Sequence, residues 1–464
     1  MPKKENLLDR NAPQWQQGNL IEIEICDLNH TGDGVGKYCG KVVFVPNTVT
    51  GDLVKVRLLN VKPQYAYAKL DRIIRPSRDR IRPRCIVADK CGGCQWQHVN
   101  YDRQLIAKTE AVFQSLRRIG GFVNPNVAAT IPSFDSIAYR NKATYPLGRS
   151  ATGNLQAGYY RKGSHQIVNL NQCPIQDPRL NPLLAEIKQD IQQQGWSVYD
   201  EKNHRGRLRH LSLRIGKNTG EMLITLVSAS KRLEGLVELA EVWLKRYPNL
   251  VGINLNYNPT KTNVIFGPET YCIAGRNYLR EIFANLEFQL RADTFFQINT
   301  KTTEKLLKII IDRLKLKGNE ILIDAYCGIG TFTLPLAQKV AKAIGIEVQP
   351  QAIEQAKLNA NLNNISNVSF KTGKVESILP DLKIKPDLII LDPPRKGCER
   401  GAIETLLETL PPHLVYISCQ PATLARDLKI LTSNGKYQLS LVQPIDFFPQ
   451  TPHVECIAFL RAIS

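Results

Sequence analysis

Long apolar runs are missing from this chain of 464 residues. A helix that crosses a membrane needs about 18 or more consecutive apolar residues, and no stretch of that kind occurs. The first residues, MPKKENLLDRNAPQWQQ, also lack the apolar core of a secretory signal peptide. The sequence therefore predicts a cytoplasmic protein.

Acidic residues are too few to balance the basic ones. The chain contains 61 Lys and Arg against 42 Asp and Glu, a formal net charge of +19. An excess of this size favours a polyanionic partner, and nucleic acid is the partner we expect. The alternative is a basic protein that has no such partner.

The eleven cysteines are an odd number, and most lie inside apolar runs, which favours thiols, ligands or a nucleophile over disulfides. Three of them, Cys85, Cys91 and Cys94, follow a C-x5-C-x2-C spacing around Gly92 and Gly93. This spacing predicts a metal site, for which Cys173 in a polar loop is the best fourth ligand. Zinc and an iron–sulfur cluster both accept four thiolates, so spacing alone leaves both open.

Residues 14–75 are predicted to form a small antiparallel β-barrel of the oligonucleotide-binding kind. The segment IEIEICDL alternates polar and apolar residues, and KVVFVPNTVTGDLVKVRLLNVK contains two further β-rich runs. We expect the glycine-rich stretch His30–Gly40 to be a turn region. Such barrels bind single-stranded nucleic acid. The alternative is a structural barrel without a ligand.

Two further domains are predicted after the barrel. The arginine-rich segment Arg72–Arg84 is expected to be a surface linker. Residues 76–290 are predicted to form an α+β domain that contains the metal-site cysteines. In residues 291–464 strands and helices alternate, which predicts a C-terminal α/β domain of the Rossmann-like kind. The expected fold class is thus multidomain.

Cys419 is predicted to lie at a turn between a strand and a helix. The apolar run from Leu414 to Ile417 indicates a buried strand, and Pro421 suits the first turn of a following helix. A helix N-terminus stabilises a thiolate by about 0.3–1 kcal/mol, so a nucleophile here needs help from its neighbours. The alternative is a small apolar residue that closes the strand.

A second strand-to-helix turn contains Gly328 and Gly330 in DAYCGIGTFTLPLA. The next strand ends in Glu347, about twenty residues later, where a carboxylate suits the hydroxyls of a ribose. The third glycine of the dinucleotide fingerprint is missing, which favours adenosine without pyrophosphate. A later apolar strand ends at Asp392 in DPPR, beside the same expected crevice.

The last predicted strand, HVECIAFL at His453–Leu460, contains Glu455. A carboxylate inside an apolar strand costs free energy unless it is paired or functional. The alternative is an edge strand that turns Glu455 toward water.

These motifs together resemble the bacterial RNA uridine-5-methyltransferases. The resemblance rests on SCQPATLARD around Cys419, DPPR, DAYCGIGTFTLPLA, FFQIN around Gln297, HVE and the cysteine spacing, and it spans nearly the whole chain. It is nearest to the 23S ribosomal RNA enzymes that carry a TRAM domain, an RNA-binding barrel, and a [4Fe–4S] cluster. The transfer RNA branch is expected to lack both, so the resemblance favours ribosomal RNA, with a transfer RNA uridine as the alternative.

The resemblance also implies roles for individual residues. Cys419 is the expected nucleophile and Glu455 the expected proton acceptor. Four residues are expected to bind S-adenosylmethionine: Gln297, Tyr326, Glu347 and Asp392. Four are expected to bind the [4Fe–4S] cluster, in a structural or RNA-positioning role: Cys85, Cys91, Cys94 and Cys173.

Two positions depart from the family pattern. Thr331 stands where Asn is common after the glycine turn, and Lys374 stands where an acidic residue often lies near the adenine. Both departures concern contacts to the adenosine rather than the chemistry.

The chemistry that this resemblance implies follows from uracil itself. Addition of a thiolate at carbon 6 makes carbon 5 nucleophilic enough to take a methyl group. We expect a monomer that acts on ribosomal RNA. Two rival classes are a non-catalytic RNA-binding or assembly factor with a vestigial methyltransferase fold, and an enzyme that modifies carbon 5 of cytosine.

Overall fold

A computed structural model describes residues 15–463. The predicted domain limits at residues 14 and 464 lie outside that range. The chain forms two compact units. One contains the described residues up to Asp89 with Cys94–Ala107 and Gln450–Pro452, and the other contains the remainder. Within residues 15–463 no helix is long and apolar enough to cross a membrane.

The first unit contains a closed five-stranded barrel. Its strands are β1 (Leu20–Leu28), β2 (Gly34–Tyr38), β3 (Lys41–Val45), β4 (Leu53–Val61) and β5 (Tyr65–Arg75). The order around the barrel is β1-β2-β3-β5-β4. Four of the neighbouring pairs are antiparallel, whereas β3 and β5 run parallel. The predicted barrel is confirmed, but it is not wholly antiparallel.

The barrel core follows from the two-residue period of its strands. Successive side chains of a strand point to opposite faces, so every second residue enters the interior. The buried residues of the barrel are almost all aliphatic: Ile21, Ile23, Ile25, Val43, Val45, Val54, Val56, Leu58, Ala66 and Ala68. The alternation of polar and apolar residues in IEIEICDL therefore reflects the exposed and the buried face of β1.

The prediction of a turn over His30–Gly40 is wrong in its central part, because Gly34–Tyr38 is strand β2. A Cβ on Gly34 would lie 2.0 Å from Thr48 Oγ1, and one on Gly36 would lie 2.8 Å from Glu24 O. The glycines thus serve close packing inside the barrel rather than a turn.

The prediction of a linker over Arg72–Arg84 is wrong at its start, because β5 extends to Arg75. The remainder of this segment forms an ion pair with a buried carboxylate of the barrel. Arg80 Nη2 lies 2.5 Å from Asp52 Oδ2, and Asp52 is fully buried. Burial by itself raises the pKa of Asp52, but the hydrogen bonds from Arg80 and from the Ser77 and Val49 amides outweigh it and lower that pKa overall. The stabilisation from this pair is therefore present at neutral pH and is lost as the pH falls through the pKa of Asp52.

The sequence DRQLIAKTEAVFQSLRRI predicts an amphipathic helix over Asp102–Ile119, with Leu105, Val112 and Leu116 inside. The helix is present as α1 (Tyr101–Ser115). It continues as a wider π-type turn over Leu116–Gly120 and ends at Gly121, which has a left-handed φ of 76°. Val112 and Leu116 are buried as expected, and Leu105 is half-buried. The boundary between the two units falls inside this helix.

In the second unit, Lys108 of α1 forms a fully buried ion pair. Its Nζ lies 2.5 Å from Asp446 Oδ1 and donates a second hydrogen bond, of 3.2 Å, to Phe448 O. Burial lowers the pKa of Lys108, and the charge of Asp446 opposes that shift. The pair fixes the segment that leads into the last strand of the chain.

We expect Lys108→Met to lower the free energy of unfolding by about 3–5 kcal/mol, because it leaves the Asp446 carboxylate buried without its cation. Urea unfolding followed by circular dichroism measures the loss. The exposed Lys339→Met is the matched control and should change stability by less than about 0.5 kcal/mol. Adding Asp446→Leu to Lys108→Met should recover most of the loss, and a double variant as unstable as the single one would contradict this account.

The predicted central α+β region forms a seven-stranded sheet with two helices. Its strands are β6 (Lys142–Arg149), β7 (Leu155–Tyr160), β8 (Ile167–Asn169), β9 (Leu208–Ile215), β10 (Met222–Ser228), β11 (Leu250–Tyr257) and β12 (Glu269–Gly275). The helices are α2 (Leu180–Gln194) and α3 (Leu236–Arg246). The strand order is β12-β11-β10-β9-β6-β7-β8. A hairpin of β13 (Tyr278–Phe283) and β14 (Leu286–Arg291) follows.

The C-terminal region is a second seven-stranded sheet with helices between its strands. The strands are β15 (Ile321–Asp324), β16 (Lys342–Glu347), β17 (Val368–Thr372), β18 (Leu388–Leu391), β19 (His413–Ser418), β20 (Tyr437–Ile445) and β21 (Glu455–Ala462). The helices are α4 (Thr300–Leu314), α5 (Thr333–Ala337), α6 (Pro350–Leu362), α7 (Val375–Asp381), α8 (Arg400–Thr409) and α9 (Pro421–Ser433).

The order of this sheet is β17-β16-β15-β18-β19-β21-β20. The first five strands are parallel to one another, and β21 is antiparallel to both of its neighbours, β19 and β20. The parallel strands are nearly continuous apolar runs, because helices cover both of their faces. The Rossmann-like prediction is confirmed. In such sheets ligands bind at the carboxyl ends of the strands, which is where the acidic residues lie.

Candidate active site

Cys419 lies between β19 and α9, as the sequence predicted. The β19 strand ends at Ser418, and α9 begins at Pro421 with Gln420 as its capping residue. Leu424, Leu428 and Leu431 bury one face of α9. The Cys419 side chain is half-buried. The turn therefore presents the thiol at the carboxyl end of a parallel strand.

Glu455 is brought to the same end of the sheet by strand direction. The β21 strand runs antiparallel to β19, and Ser418 pairs with Cys456. The next residues along the two strands are therefore Cys419 and Glu455. Glu455 is only 3% exposed and starts a strand that lies between β19 and β20. The alternative of a water-facing edge strand is wrong, because β20 covers the other side of β21.

The surroundings of Cys419 hold its thiol in the protonated form. Burial raises the pKa of Cys419 to about 11, and the nearby Glu455 and Asp392 carboxylates add to the increase. The Arg395 cation opposes them. The helix N-terminus does not outweigh these effects, so in this structure the thiolate is a minor form at neutral pH.

The raised pKa predicts that alkylation of Cys419 by iodoacetamide accelerates with pH. Because only the thiolate reacts, the rate should rise about tenfold per unit between about pH 7 and 10. Mass spectrometry of the Cys419 peptide measures the rate, and the exposed Cys39 supplies a reference thiol in the same sample. A rate that is already constant above about pH 8 would contradict the raised pKa.

Asp392 follows the end of β18 and is linked to Gln297. The Gln297 Nε2 atom donates a 3.3 Å hydrogen bond to Asp392 Oδ2, and Gln297 is 8% exposed. Burial and, to a smaller extent, the Asp324 carboxylate raise the pKa of Asp392 to about 7, although the hydrogen bond from Gln297 opposes the shift. Gln297 of the FFQIN motif and Asp392 of the DPPR motif are thus joined by a hydrogen bond.

The same burial acts on Glu455. Burial raises the pKa of Glu455 well above the usual range for a glutamate, the Asp392 carboxylate raises it further, and Arg395 lowers it. With Asp324, whose pKa burial raises to about 6, the site therefore contains three carboxyl groups that resist ionisation together. A bound cation would relieve that repulsion.

The glycine turn after β15 borders open space. A Cβ built on Gly328 would meet no heavy atom within 4 Å, so a ligand can approach the backbone there. Gly328 N donates to Glu347 Oε2 at 3.3 Å, which places that carboxylate at the turn. Tyr326 is half-buried in the same turn. The open turn and the carboxylate at the end of β16 together suit an adenosine ribose.

The two departures from the family pattern have different surroundings. Thr331 is buried, with 8% of its surface exposed. Lys374 precedes α7 with its side chain 72% exposed, and its Nζ lies 4.0 Å from Glu376 Oε1. Lys374 is thus turned to solvent, whereas Thr331 is part of the packed turn.

Sequence reasoning missed two supporting features of the site. Arg395, next to the DPP motif, is the cation that opposes the raised pKa values of Cys419 and Glu455. Asp427 is fully buried in α9, where it accepts hydrogen bonds from Tyr416 Oη at 2.6 Å and from the Cys398 amide at 2.9 Å.

The Asp427 contacts join the helix after Cys419 to the loop after Asp392. Arg426 strengthens the link, since its Nη2 lies 2.7 Å from Asp427 Oδ1 and donates to Lys396 O at 2.9 Å. The sequence did contain a signal for this link, because Asp427 is an acidic residue on the apolar face of the predicted helix, between Leu424 and Leu428. A carboxylate that is buried in such a position must be paired.

The four predicted metal ligands belong to both units of the chain. Among residues 15–463 no group of three or more His, Cys, Asp or Glu side chains is arranged to hold a metal ion. The four thiols are divided between the units, with Cys85 and Cys94 in the first and Cys91 and Cys173 in the second. We therefore derive no step of the reaction through a cluster.

In the second unit, the segments around Cys91 and Cys173 converge on one tyrosine. A Cβ on Gly93 would lie 3.4 Å from the Tyr159 ring and 3.5 Å from Cys91 Sγ. Tyr159 Oη accepts a 2.7 Å hydrogen bond from Gln176, three residues after Cys173. Two of the four thiols thus come from segments that share a neighbour.

A doubly wound sheet with a glycine turn and a carboxylate at the next strand end is typical of proteins that bind a nucleoside-containing cofactor at the carboxyl ends of the strands. The particular family is given by comparison with known proteins. The family model described as tRNA (Uracil-5-)-methyltransferase matches residues 100–463, and the TRAM domain model matches residues 14–70. The chain belongs to this family of RNA uracil-5-methyltransferases and carries a TRAM domain.

Relatives are similar over almost their whole length. A protein described as an uncharacterized RNA methyltransferase from Nostoc sp. (strain PCC 7120) is 61% identical over 446 residues, which cover 96% of this chain and 97% of the relative. Another, described in the same words, from Halalkalibacterium halodurans is 39% identical and covers 96% and 97%. This similarity identifies the chain as an RNA methyltransferase.

One solved structure is similar over most of the chain. The tRNA (uracil-54, C5)-methyltransferase of Pyrococcus abyssi, in complex with S-adenosyl-L-homocysteine, has a TM-score of 0.73 and 27% identity. The match covers 95% of this chain and 100% of the other. An enzyme described as acting on tRNA therefore matches 95% of this chain, so the presence of the barrel does not by itself favour ribosomal RNA over transfer RNA.

Proposed function

We propose that this protein transfers a methyl group from S-adenosylmethionine to carbon 5 of a uridine in RNA, with Cys419 as the nucleophile and Glu455 as the proton acceptor. The observation that supports this most directly is the register of β19 and β21, in which Ser418 pairs with Cys456. It puts a thiol and a carboxyl group side by side at the carboxyl ends of the parallel strands.

The first step is the addition of the Cys419 thiolate to carbon 6 of the uracil ring. The new S–C bond turns the ring into an enolate with electron density at carbon 5. Carbon 5 then takes the methyl group from the sulfonium, and S-adenosylhomocysteine leaves. Positioning the two carbons accounts for much of the rate enhancement.

The second step removes the proton from carbon 5. Glu455 takes that proton, the double bond re-forms, and Cys419 leaves as a thiolate. Glu455 must be ionised for this task, although burial raises its pKa. Arg395 lowers the pKa of both Cys419 and Glu455, and a sulfonium bound near them would lower the two pKa values further.

We assign S-adenosylmethionine to the crevice bordered by Gln297, Tyr326, Glu347 and Asp392. The open space over Gly328 and the hydrogen bond from Gly328 N to Glu347 support a ribose contact. The hydrogen bond between Gln297 and Asp392 supports a polar contact near the other end of the donor. The sheet geometry favours this crevice over any other part of the unit.

We propose that the substrate is ribosomal RNA, and specifically 23S ribosomal RNA, because the sequence resembles the uridine-5-methyltransferases that act on it. Transfer RNA is the second candidate, favoured by the similarity to the Pyrococcus abyssi tRNA enzyme over 95% of this chain. In either RNA the target base must leave its stack at a cost of a few kcal/mol. The net charge of +19 can offset that cost through phosphate contacts.

A transfer assay separates these substrates. Ribosomal RNA and transfer RNA from a strain that lacks the gene are incubated with radiolabelled S-adenosylmethionine, and the labelled nucleosides are identified. Labelled 5-methyluridine in ribosomal RNA alone supports the first candidate, and label in transfer RNA alone supports the second. Labelled 5-methylcytidine, or no transfer to either RNA, would overturn the proposed function in favour of the two rival classes.

We also propose a [4Fe–4S] cluster bound by Cys85, Cys91, Cys94 and Cys173. Its support is the C-x5-C-x2-C spacing and the shared contact of two of these segments with Tyr159. Protein purified without oxygen should contain about four irons per chain and be brown, with broad visible absorption that a Cys91→Ser variant loses. The Cys272→Ser variant is the control, and stoichiometric zinc without iron would contradict the assignment.

The division of labour that we propose follows the three predicted segments. Residues 14–75 bind RNA, residues 76–290 carry the cluster ligands, and residues 291–464 bind the methyl donor and carry out the reaction. We propose that the protein acts as a cytoplasmic monomer.

A further inference from the structure

Three aromatic side chains stand together on the outside of the barrel. The ring centroids of Phe44 and Tyr67 are 5.3 Å apart, those of Tyr65 and Tyr67 are 5.9 Å apart, and those of Phe44 and Tyr65 are 6.1 Å apart. Tyr65 is 38% exposed and Tyr67 is 46% exposed. We call these three residues the aromatic triad.

The barrel core does not account for the triad. On β5 the triad tyrosines alternate with Ala66 and Ala68, which are buried. On β3, Phe44 lies between Val43 and Val45, which are fully buried. The triad therefore occupies outward positions, where a barrel ordinarily places polar residues. Its rings are available to a partner.

Strand pairing makes the triad a single surface. Val42 pairs with Tyr65, and Phe44 pairs with Tyr67, across the parallel β3–β5 edge. The contacts between the rings are tilted or edge-to-face, an arrangement that aromatic side chains favour. The rings thus support one another in a fixed cluster before any partner binds.

Basic side chains surround the triad. Lys37 of β2 is exposed and pairs with Val42, the residue opposite Tyr65. Lys69 follows Tyr67 on the same face of β5 and pairs with Arg57 of β4, and both are exposed. The exposed carboxylates Glu22 and Glu24 lie on β1, and Asp71 lies further along β5.

We propose that the aromatic triad binds one or two unpaired bases of the RNA substrate by stacking, while Lys37, Lys69 and Arg57 bind the adjoining phosphates. Aromatic rings next to basic residues on a small barrel are the combination that holds single-stranded nucleic acid. The inference rests on the proposed function only in taking RNA as the substrate. It adds a binding site outside the reaction centre and predicts that the substrate has an unpaired segment.

Equilibrium binding without a methyl donor tests the proposal independently of catalysis. The probe is a fluorescein-labelled, single-stranded poly(U) RNA of about 12 nucleotides, within the range that one such barrel covers. We expect Tyr65→Ala to raise Kd roughly 5- to 150-fold, the loss typical of one stacked base. Tyr65→Phe keeps the ring and should restore affinity. An unchanged Kd for Tyr65→Ala would overturn the proposal.

Charge and packing are tested by matched variants. Lys69→Ala should weaken binding and reduce the salt dependence of log Kd by about one phosphate contact. Lys55→Ala, at the position of β4 that pairs with Glu22 of β1, should leave Kd unchanged. Tyr65→Leu keeps apolar bulk, so a variant with the wild-type circular dichroism spectrum but weaker binding separates stacking from folding. Equal losses in all these variants would contradict a local site.

Photo-crosslinking locates the RNA directly. With 4-thiouridine in the probe, the crosslinked peptides should include residues 65–69, and crosslinks confined to residues 291–464 would overturn the proposal.

In transfer assays Tyr65→Ala should raise KM while kcat stays unchanged. Wild-type protein that binds the probe at the triad yet transfers no methyl group would refute the proposed function alone. If Tyr65→Ala loses self-association but binds RNA with unchanged affinity, the triad contacts a second copy of this chain instead.

Discussion

Replacing Cys419 with alanine is expected to abolish methyl transfer. The proposed reaction begins with addition of this thiolate to carbon 6, and without it carbon 5 is too weak a nucleophile to take the methyl group. The rate should fall by about 10⁴-fold or more. The covalent complex between protein and RNA, seen as a band that resists denaturing gel electrophoresis, should disappear as well.

Binding of the methyl donor is the control that makes this result specific. Cys419 follows β19, whereas the proposed contacts to the methyl donor come from other segments: Gln297 precedes α4, Tyr326 follows β15, Glu347 ends β16 and Asp392 follows β18. The Kd for S-adenosylmethionine should therefore stay within about twofold of wild type. The Cys272→Ala variant removes an exposed thiol of β12 and should keep full activity. Normal turnover by Cys419→Ala would remove the nucleophile assignment.

Replacing Glu455 with glutamine is expected to stop the reaction one step later. Thiolate addition and methyl transfer do not need this base, but proton removal from carbon 5 does. The variant should therefore accumulate an RNA adduct that already carries the methyl group. Turnover should fall by about 10²- to 10⁴-fold, while the first methyl transfer on each enzyme molecule remains detectable.

Nuclease digestion and mass spectrometry of the trapped complex test this order of events. The mass of the Cys419 peptide should include a methylated uridine in Glu455→Gln. The matched control is Glu404→Gln, which removes an exposed carboxylate that pairs with Arg400 on α8 and should leave turnover unchanged. Release of product by Glu455→Gln at the wild-type rate would mean that another group is the base.

Local patterns predicted a large part of the fold. The alternation in IEIEICDL predicted β1, and the apolar run before Cys419 predicted β19 together with the turn that follows it. Such predictions succeed because a strand period or a helix start depends on residues close in sequence. The same reasoning failed at Gly34 and Gly36, where close approach of Thr48 and Glu24 explains the glycines.

Parts of the site depend on residues far apart in sequence and were not predictable. The link from Asp427 to the Cys398 amide, and the charge of Arg395 beside Cys419 and Glu455, follow from the packing of α9 against the loop after β18. The raised pKa of Cys419 reverses what its place before a helix suggested, because burial and two carboxylates outweigh the helix N-terminus. Sequence alone contains no measure of that burial.

By itself the sequence determined the class of chemistry, since a cysteine turn, a glycine turn and a terminal glutamate are visible as motifs in the linear chain. Only the tertiary structure decided that the thiol and the glutamate meet. They are 36 positions apart, as the numbers of Cys419 and Glu455 show, and their approach requires β21 to insert antiparallel between β19 and β20. Hydrogen bonding between strands sets that register, and the pattern within any one strand does not specify its partner.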